Sequence, residues 1–430
     1  MVLQTIFHSR APFDFLQLQT LYTDEAQRSS CDSATLQGLN DLFVILKTGA
    51  NEAHKKLPPH FDTTLRCVPH YGIWSDMEEE IDGHHVLNAL DEMDPNIVVS
   101  HADFEYYRRL QRNGLDAFTA EELYKWETAP NTPSGHDSPG WRLDKWKFLP
   151  MADKAYRQRP EAKWFVFMEC DTFFNWRNLV RWLSKFDASK SLYLGQEMRI
   201  GDSTFAYGGS GFVISNPAMK ALVEHRAARM EFYDDYTGKH WAGDCVLGKA
   251  LANAGVRLTW SRPTLFSETP FNMNFNDTFR RNKHIWCYYF TSYHPMDPTD
   301  IAAFYQFEQK WNLEDSLLRH SDVFRDFVLP QLGPEVADWD NVSTDEQDSA
   351  SNASFPECHG ICERQSDCMQ FSLDGQDCRS SKKISLGHQR HRRHKDEPSE
   401  RMVSGWMMDR VSAFVEEMDA SCNGEDWILP

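Results

Sequence analysis

The stretch "WFVFMECDTFFNW", Trp164–Trp176, decides the fold. Trp164 to Met168 are five consecutive apolar residues and read as a buried strand. The run stops in Glu169-Cys170-Asp171, which sets two carboxylates one residue apart at the strand's C-terminal end. In an open α/β sheet, ligands bind beyond the carboxyl ends of the strands. Two acids there can bind a hard divalent cation that also grips phosphate oxygens. The plainer reading is an acidic loop, or an N-cap for a helix opening near Trp176, a position that suits Asp and Thr.

Outward from this stretch, strands alternate with helices. "DLFVILKTG" from Asp41 is a short apolar strand, and the polar "NEAHKKLPPHF" after it is a helix. "YGIWSD", "SLYLG", "GFVIS" and "VRLTW" are further strands. "NLVRWLSKF", "NPAMKALVEHRAARMEF" and "DCVLGKALANAG" carry apolar residues at helical spacing, with Pro217 placed for a helix start and Gly255 for an end. The alternation predicts an α/β sandwich.

The 430 residues are 41% hydrophobic and 25% charged, a globular composition. A net charge of −19 argues against a nucleic-acid partner, which requires a basic surface. The basic run His388–Glu397 is local and reads as a solvated loop. No run of about 18 apolar residues exists to span a membrane, and Met1–Thr20 has no signal-peptide apolar segment. Cys358, Cys362, Cys368 and Cys378 cluster near the C-terminus, with Cys422 behind them. Such a cluster predicts disulfides and an oxidising compartment; without a C-x-x-C pair, zinc is the weaker reading. Sequons stand at Asn276, Asn341 and Asn352, the last two in a polar stretch where glycosylation is sterically allowed.

Three more segments carry candidate chemistry. "YGGSGFVIS" puts Gly208, Gly209 and Gly211 before a strand, where glycines permit close backbone approach to a ligand or mark a turn. "HWAGDCVLGKAL" places Asp244 at a helix start, as a cap or a carboxylate base. "YYFTSYHPMDP" carries His294, a structural histidine or a third metal ligand beside two carboxylates.

The ordered set "GWRLDKWKFLPMADKAY", "AKWFVFMECDTFFNWRNLVRWL", "YGGSGFVIS", "GDCVLGKAL" and "SYHPMDP" resembles glycosyltransferase family 31. The nearest likeness is to its fungal branch, similar to fringe and core-1 β-1,3-galactosyltransferase, over about residues 40–312. The resemblance implies a GT-A fold, a UDP-sugar donor carrying galactose or N-acetylglucosamine, a glycan or glycoprotein acceptor, and inversion to a β-1,3 linkage. It implies that Glu169, Asp171 and His294 hold Mn²⁺ and that Asp244 is the catalytic base. It also implies that Thr48, Asp76 and Lys147 meet the nucleotide, with Gly208 and Gly209 beside the sugars. Glu169 stands where many members have Asp, and Gly243 precedes Asp244 where animal relatives often have an acid. A non-catalytic glycan-binding protein on the same fold is the alternative.

The expected organisation is an N-terminal extension (1–35), a GT-A domain (36–330), an acidic linker (331–355) and a cysteine-rich module (356–430). The last is similar to a PAN/apple module, with its disulfide pairing left open. The family implies the Golgi lumen, although its usual N-terminal anchor is not seen in this sequence.

Overall fold

A computed structural model describes residues 37–127, 129, 138–280, 282–311, 316–351, 353–390, 402–424 and 427–429. The expected N-terminal extension lies outside them, as does most of the basic run from residue 391 onward. The chain forms two compact units that interleave in sequence. Among the described residues, the larger unit takes those within 37–269, 289–317 and 427–429, and the smaller those within 270–288 and 318–424. The compact units therefore do not follow the consecutive boundaries expected at 330 and 355.

The larger unit is built on a mixed sheet of eight strands. They are β1 (Leu42–Lys47), β2 (Tyr71–Ser75), β3 (Glu79–Ile81), β4 (His84–Asn88), β5 (Trp164–Glu169), β6 (Tyr193–Gly195), β7 (Phe212–Ser215) and β8 (Leu258–Trp260). The order across the sheet is β8-β6-β7-β5-β1-β2-β4-β3. β5, β1, β2 and β4 run parallel, while β7 is antiparallel to both β5 and β6. The "WFVFM" run is central because both of its faces are covered. Phe165 and Phe167 enter one core with Phe43, Ile45 and Phe212, beneath helices including Phe148–Gln158 and Gly243–Asn253. Trp164, Val166 and Met168 enter the other with Val44, Leu46, Leu179 and Trp182. Strand side chains alternate faces, so a fully apolar strand needs two cores, and the sheet supplies both.

The strands and helices read from the sequence are present, with two divisions. "NEAHKKLPPHF" is two helices, Ala50–Lys56 and Pro58–Asp62, because proline favours the first turn of a new helix over the interior of an old one. "NPAMKALVEHRAARMEF" ends its first helix at Ala227, and a second runs Met230–Lys239. Asn175 caps the helix Trp176–Leu183, accepting from the Asn178 amide at 2.8 Å, so Asp171 is not that cap.

The smaller unit has a five-stranded antiparallel sheet of β9 (Val336–Ala337), β10 (Asp345–Ser351), β11 (Gln370–Asp374), β12 (Asp377–Ser381) and β13 (Met402–Trp406), ordered β9-β13-β11-β12-β10. Disulfides join Cys358 to Cys378, Cys362 to Cys368 and Cys287 to Cys422. The first pins the helix Phe355–Arg364 to β12. Much of the segment expected as linker is structured: it contributes β9 and the edge strand β10. A polar sequence suits a sheet edge, where it leaves the unpaired side in water. Asn341 is fully buried, donating to Phe371 O at 3.0 Å, so the sequon there is closed to modification in the fold. Asn276 is exposed, and Asn352 lies outside the described residues.

Candidate functional site

β1 and β5 are parallel neighbours with Lys47 opposite Glu169, so both strands end at one level. Beyond them the chain turns sharply. The Cys170 amide donates to Lys47 O at 3.1 Å and the Thr172 amide to Glu169 O at 3.0 Å. Thr172 Oγ1 accepts from the Glu169 amide at 3.2 Å and donates to Gly209 O at 2.7 Å, fastening the turn to the glycine segment. The short strand Phe173–Phe174 then pairs with Ser292–Tyr293, and this pairing delivers His294 to Asp171.

Glu169, Asp171 and His294 each offer a ligand atom, all within 4.8 Å of one another. His294 Nε2 lies 3.2 Å from Asp171 Oδ1. His294 Nδ1 is buried with no hydrogen-bond partner, and Asp171 Oδ1 is buried with only the His294 imidazole beside it. Buried polar atoms are normally paired, so the orphan nitrogen and the donor set fit a divalent cation of the Mn²⁺ type. Gly209 makes room for the imidazole: a Cβ there would stand 2.7 Å from both ring nitrogens.

Charge around the cluster is balanced by lysines. Lys47 Nζ pairs with Asp144 and lies 3.5 Å from Glu169 Oε1. Lys56 Nζ pairs with Asp171 Oδ2 at 3.2 Å and with Glu52 at 2.8 Å. Burial raises the Glu169 pKa, offset in part by Lys47. Burial also acts on Asp171, but His294 and Lys56 outweigh it and hold that carboxyl well below the usual range.

Asp244 sits in the first turn of the helix Gly243–Asn253. Its Oδ2 accepts from the Gly208 amide at 2.9 Å and its Oδ1 from the Cys245 amide at 2.8 Å. A Cβ on Gly208 would be 3.1 Å from Glu169 Oε1 and 3.4 Å from Asp244 Oδ2, so one bare glycine separates the acid cluster from Asp244. Burial pushes the Asp244 carboxyl up to about 6 against the pull of those amides. A carboxyl tuned toward neutral pH is suited to exchange a proton.

The remaining candidates form a group at the ends of β1 and β2. Lys147 Nζ donates to Thr48 O at 2.8 Å and to Asp144 at 2.9 Å, and lies 3.8 Å from Asp76 Oδ1. Asp76 Oδ1 accepts from the Ala50 amide at 2.7 Å, and its Oδ2 is a buried orphan. Every site residue expected from sequence therefore gathers at the carboxyl edge of the sheet. Sequence reasoning missed Lys47, Lys56 and Asp144. Lys47 was findable, because it ends an apolar strand just as Glu169 does. Asp144 gave no signal beyond its spacing of three from Lys147 on a helical turn.

The Fringe-like family model matches residues 37–273, more than half of the chain. A human beta-1,3-glucosyltransferase is 27% identical over 136 residues, 31% of this chain and 24% of that protein. The aligned part thus spans about a quarter of that relative's length.

Proposed function

We propose a reaction from the premise that this chain belongs to the Fringe-like family and is a glycosyltransferase. The proposed reaction is inverting, metal-dependent transfer of a hexose, galactose or N-acetylglucosamine, from a UDP-sugar to a glycan or glycoprotein in β-1,3 linkage, on a GT-A fold. One observation carries the reading: Glu169, Asp171 and His294 converge within 4.8 Å, with Asp244 across Gly208 from Glu169. The human relative's name supports a β-1,3 linkage and adds glucose to the donors worth testing.

In this reading Glu169, Asp171 and His294 hold Mn²⁺, which when bound supplies Lewis-acid stabilisation of the leaving diphosphate. Lys147, Thr48 and Asp76 position the nucleotide, and Lys47 keeps positive charge beside Glu169. Gly208 and Gly209 leave backbone surface open to the sugars. Asp244 accepts the proton of the acceptor hydroxyl as that oxygen forms a bond to the anomeric carbon and the sugar–phosphate bond breaks. Displacement in one step inverts the anomeric carbon. The Gly208 amide holds Asp244 Oδ2 and fixes the direction of its lone pairs.

The helix Phe355–Arg364, tied to the sheet by Cys358–Cys378 and to the loop after it by Cys362–Cys368, supports a PAN/apple-like module. The disulfides support a place in the secretory pathway, in the Golgi lumen. Among the described residues no helix is long and apolar enough to cross a membrane.

The test is UDP release from UDP-galactose, UDP-N-acetylglucosamine and UDP-glucose, with Mn²⁺ or EDTA, with and without β-1,3 acceptor mimics. Acceptor-dependent release that EDTA and Asp171→Ala both abolish is the expected result. Nucleotide binding with no release under any acceptor would instead favour the non-catalytic glycan-binding reading.

A further inference from the structure

Five aromatic rings form a continuous row that reaches Trp241, just before the helix that carries Asp244. Phe232 and Tyr236 lie one helical turn apart on the helix Met230–Lys239, and His240 follows at the same spacing as its C-cap. The ring centroids of Phe232 and Tyr236 are 6.1 Å apart, those of Tyr236 and His240 5.6 Å, and those of His240 and Trp241 6.3 Å. Trp141, on the helix Pro139–Asp144, continues the row at 6.1 Å from Trp241. The planes of successive rings differ by 27° at most.

Two of the five rings are exposed and the other three are half-buried. Phe232 is 50% exposed and Trp241 39% exposed, among the larger apolar exposures of the described residues. Exposed rings joined in one row offer the apolar surface that binding sites use. The fold also builds it deliberately close to the chemistry. Trp241 precedes Asp244 by three residues, and Trp141 precedes Asp144 by three. The two tryptophans meet because Gly243 packs on the Lys145 backbone, where a Cβ would be 2.7 Å from Lys145 Cα.

We propose that Trp141, Trp241, His240, Tyr236 and Phe232 form the platform for an extended acceptor oligosaccharide, with the reacting sugar at the Trp241 end beside Asp244. The proposal rests on the glycosyltransferase reading above and names the acceptor class: a chain of several sugars rather than a single residue. A pyranose presents an apolar C–H face and a rim of hydroxyls. The row answers with apolar ring surface and with polar tips, the imidazole and the indole N–H. His240 Nδ1 accepts from the Ala242 amide at 3.1 Å, which keeps that nitrogen deprotonated and the ring neutral. Charge disfavours the anionic occupants. Glu231, Asp234 and Asp235 stand against Arg229 and Lys239, with Arg142 beside Trp141, a near-neutral flank that offers no cationic cluster to anionic lipid, nucleic acid or a nucleotide diphosphate.

The experiment uses the full chain, the UDP-sugar that the donor screen selects, and neutral methyl glycosides as mono-, di- and trisaccharides. Wild type should show an acceptor KM that falls as the oligosaccharide lengthens. Trp241→Ala and Phe232→Ala should raise the trisaccharide KM by about tenfold, the loss of one good ring contact, with the UDP-sugar KM unmoved. Trp241→Phe should restore most of the loss, and Val99→Ala, an exposed apolar change elsewhere, should do nothing. Equal KM values for wild type and both alanine variants in an active enzyme would overturn the platform and leave the transferase reading intact. A response confined to glycopeptides would also overturn it, by assigning the row to polypeptide. If no turnover is seen, saturation-transfer NMR on the trisaccharide decides. Binding that Trp241→Ala abolishes sustains the platform while the transferase reading fails, and no binding overturns both.

Discussion

Asp244 shows how a single side chain is tuned by its surroundings. Burial raises its pKa from 3.8 to about 6, and the Gly208 and Cys245 amides limit the rise by bonding the anion. The base form exists only after proton loss, so kcat/KM should rise with pH through about 6 and level off above it. A pH–rate profile measured at saturating metal checks this. Asp244→Asn should lower kcat by roughly 10²–10⁴ while the nucleotide still binds, because the amide keeps the shape and loses the basic lone pair. Gly209 tests the metal cluster from the other side. Its Cβ would collide with the His294 ring, so Gly209→Ala should weaken Mn²⁺ binding about 10–100-fold, as disturbing a ligand's support does. Titration of Mn²⁺ by isothermal calorimetry reads this without needing activity.

At the scale of elements, β5 does two things at once. Its apolar residues are held by two cores, and its last residue is delivered to the carboxyl edge. Phe167 stacks on Phe212 with ring centroids 4.5 Å apart and is 3% exposed. Phe167→Ala should destabilise the larger unit by about 3–5 kcal/mol, read as a shift in the urea midpoint. The start of the helix near Trp176 was legible, but its cap was not: Asn175, rather than the expected Asp or Thr, accepts from the Asn178 amide. Nor was the pairing of Phe173–Phe174 with Ser292–Tyr293 legible. Two-residue strands more than a hundred positions apart carry no periodicity, and only the fold aligns them.

For the whole molecule, the proposed secretory location makes the two described sequons distinguishable. Asn276 stands exposed in a turn, whereas Asn341 is buried with its amide bonded to Phe371 O. Expressed through a secretory host, the chain should lose one glycan with Asn276→Gln and none with Asn341→Gln, as judged by mass spectrometry. The smaller unit also shows why composition misleads about linkers. The acidic, Ser/Asn-rich stretch before Ser354 looks unable to bury anything. Yet Asn341 is held inside, its own oxygens accepting from Gln370 Nε2 at 2.6 Å and Ser343 Oγ at 2.8 Å. Satisfied hydrogen bonds make such burial tolerable.

The sequence by itself determined the alternation of strands and helices, the burial of "WFVFM" as a strand, and the place of Glu169 and Asp171 at its carboxyl end. Each follows from local physics: apolar runs need cover on both sides, and polar residues at their ends meet water or ligand. The likeness in motif order added His294 and Asp244, whose positions along the chain alone leave them ordinary. The tertiary structure decided the rest. It placed His294 3.2 Å from Asp171, set Lys47 beside Glu169, joined Cys287 to Cys422 and lined up five aromatic rings from two helices and the turn between them and Asp244. These are meetings between segments distant in sequence. No local pattern encodes them, because they are fixed by which surfaces the two cores leave facing each other.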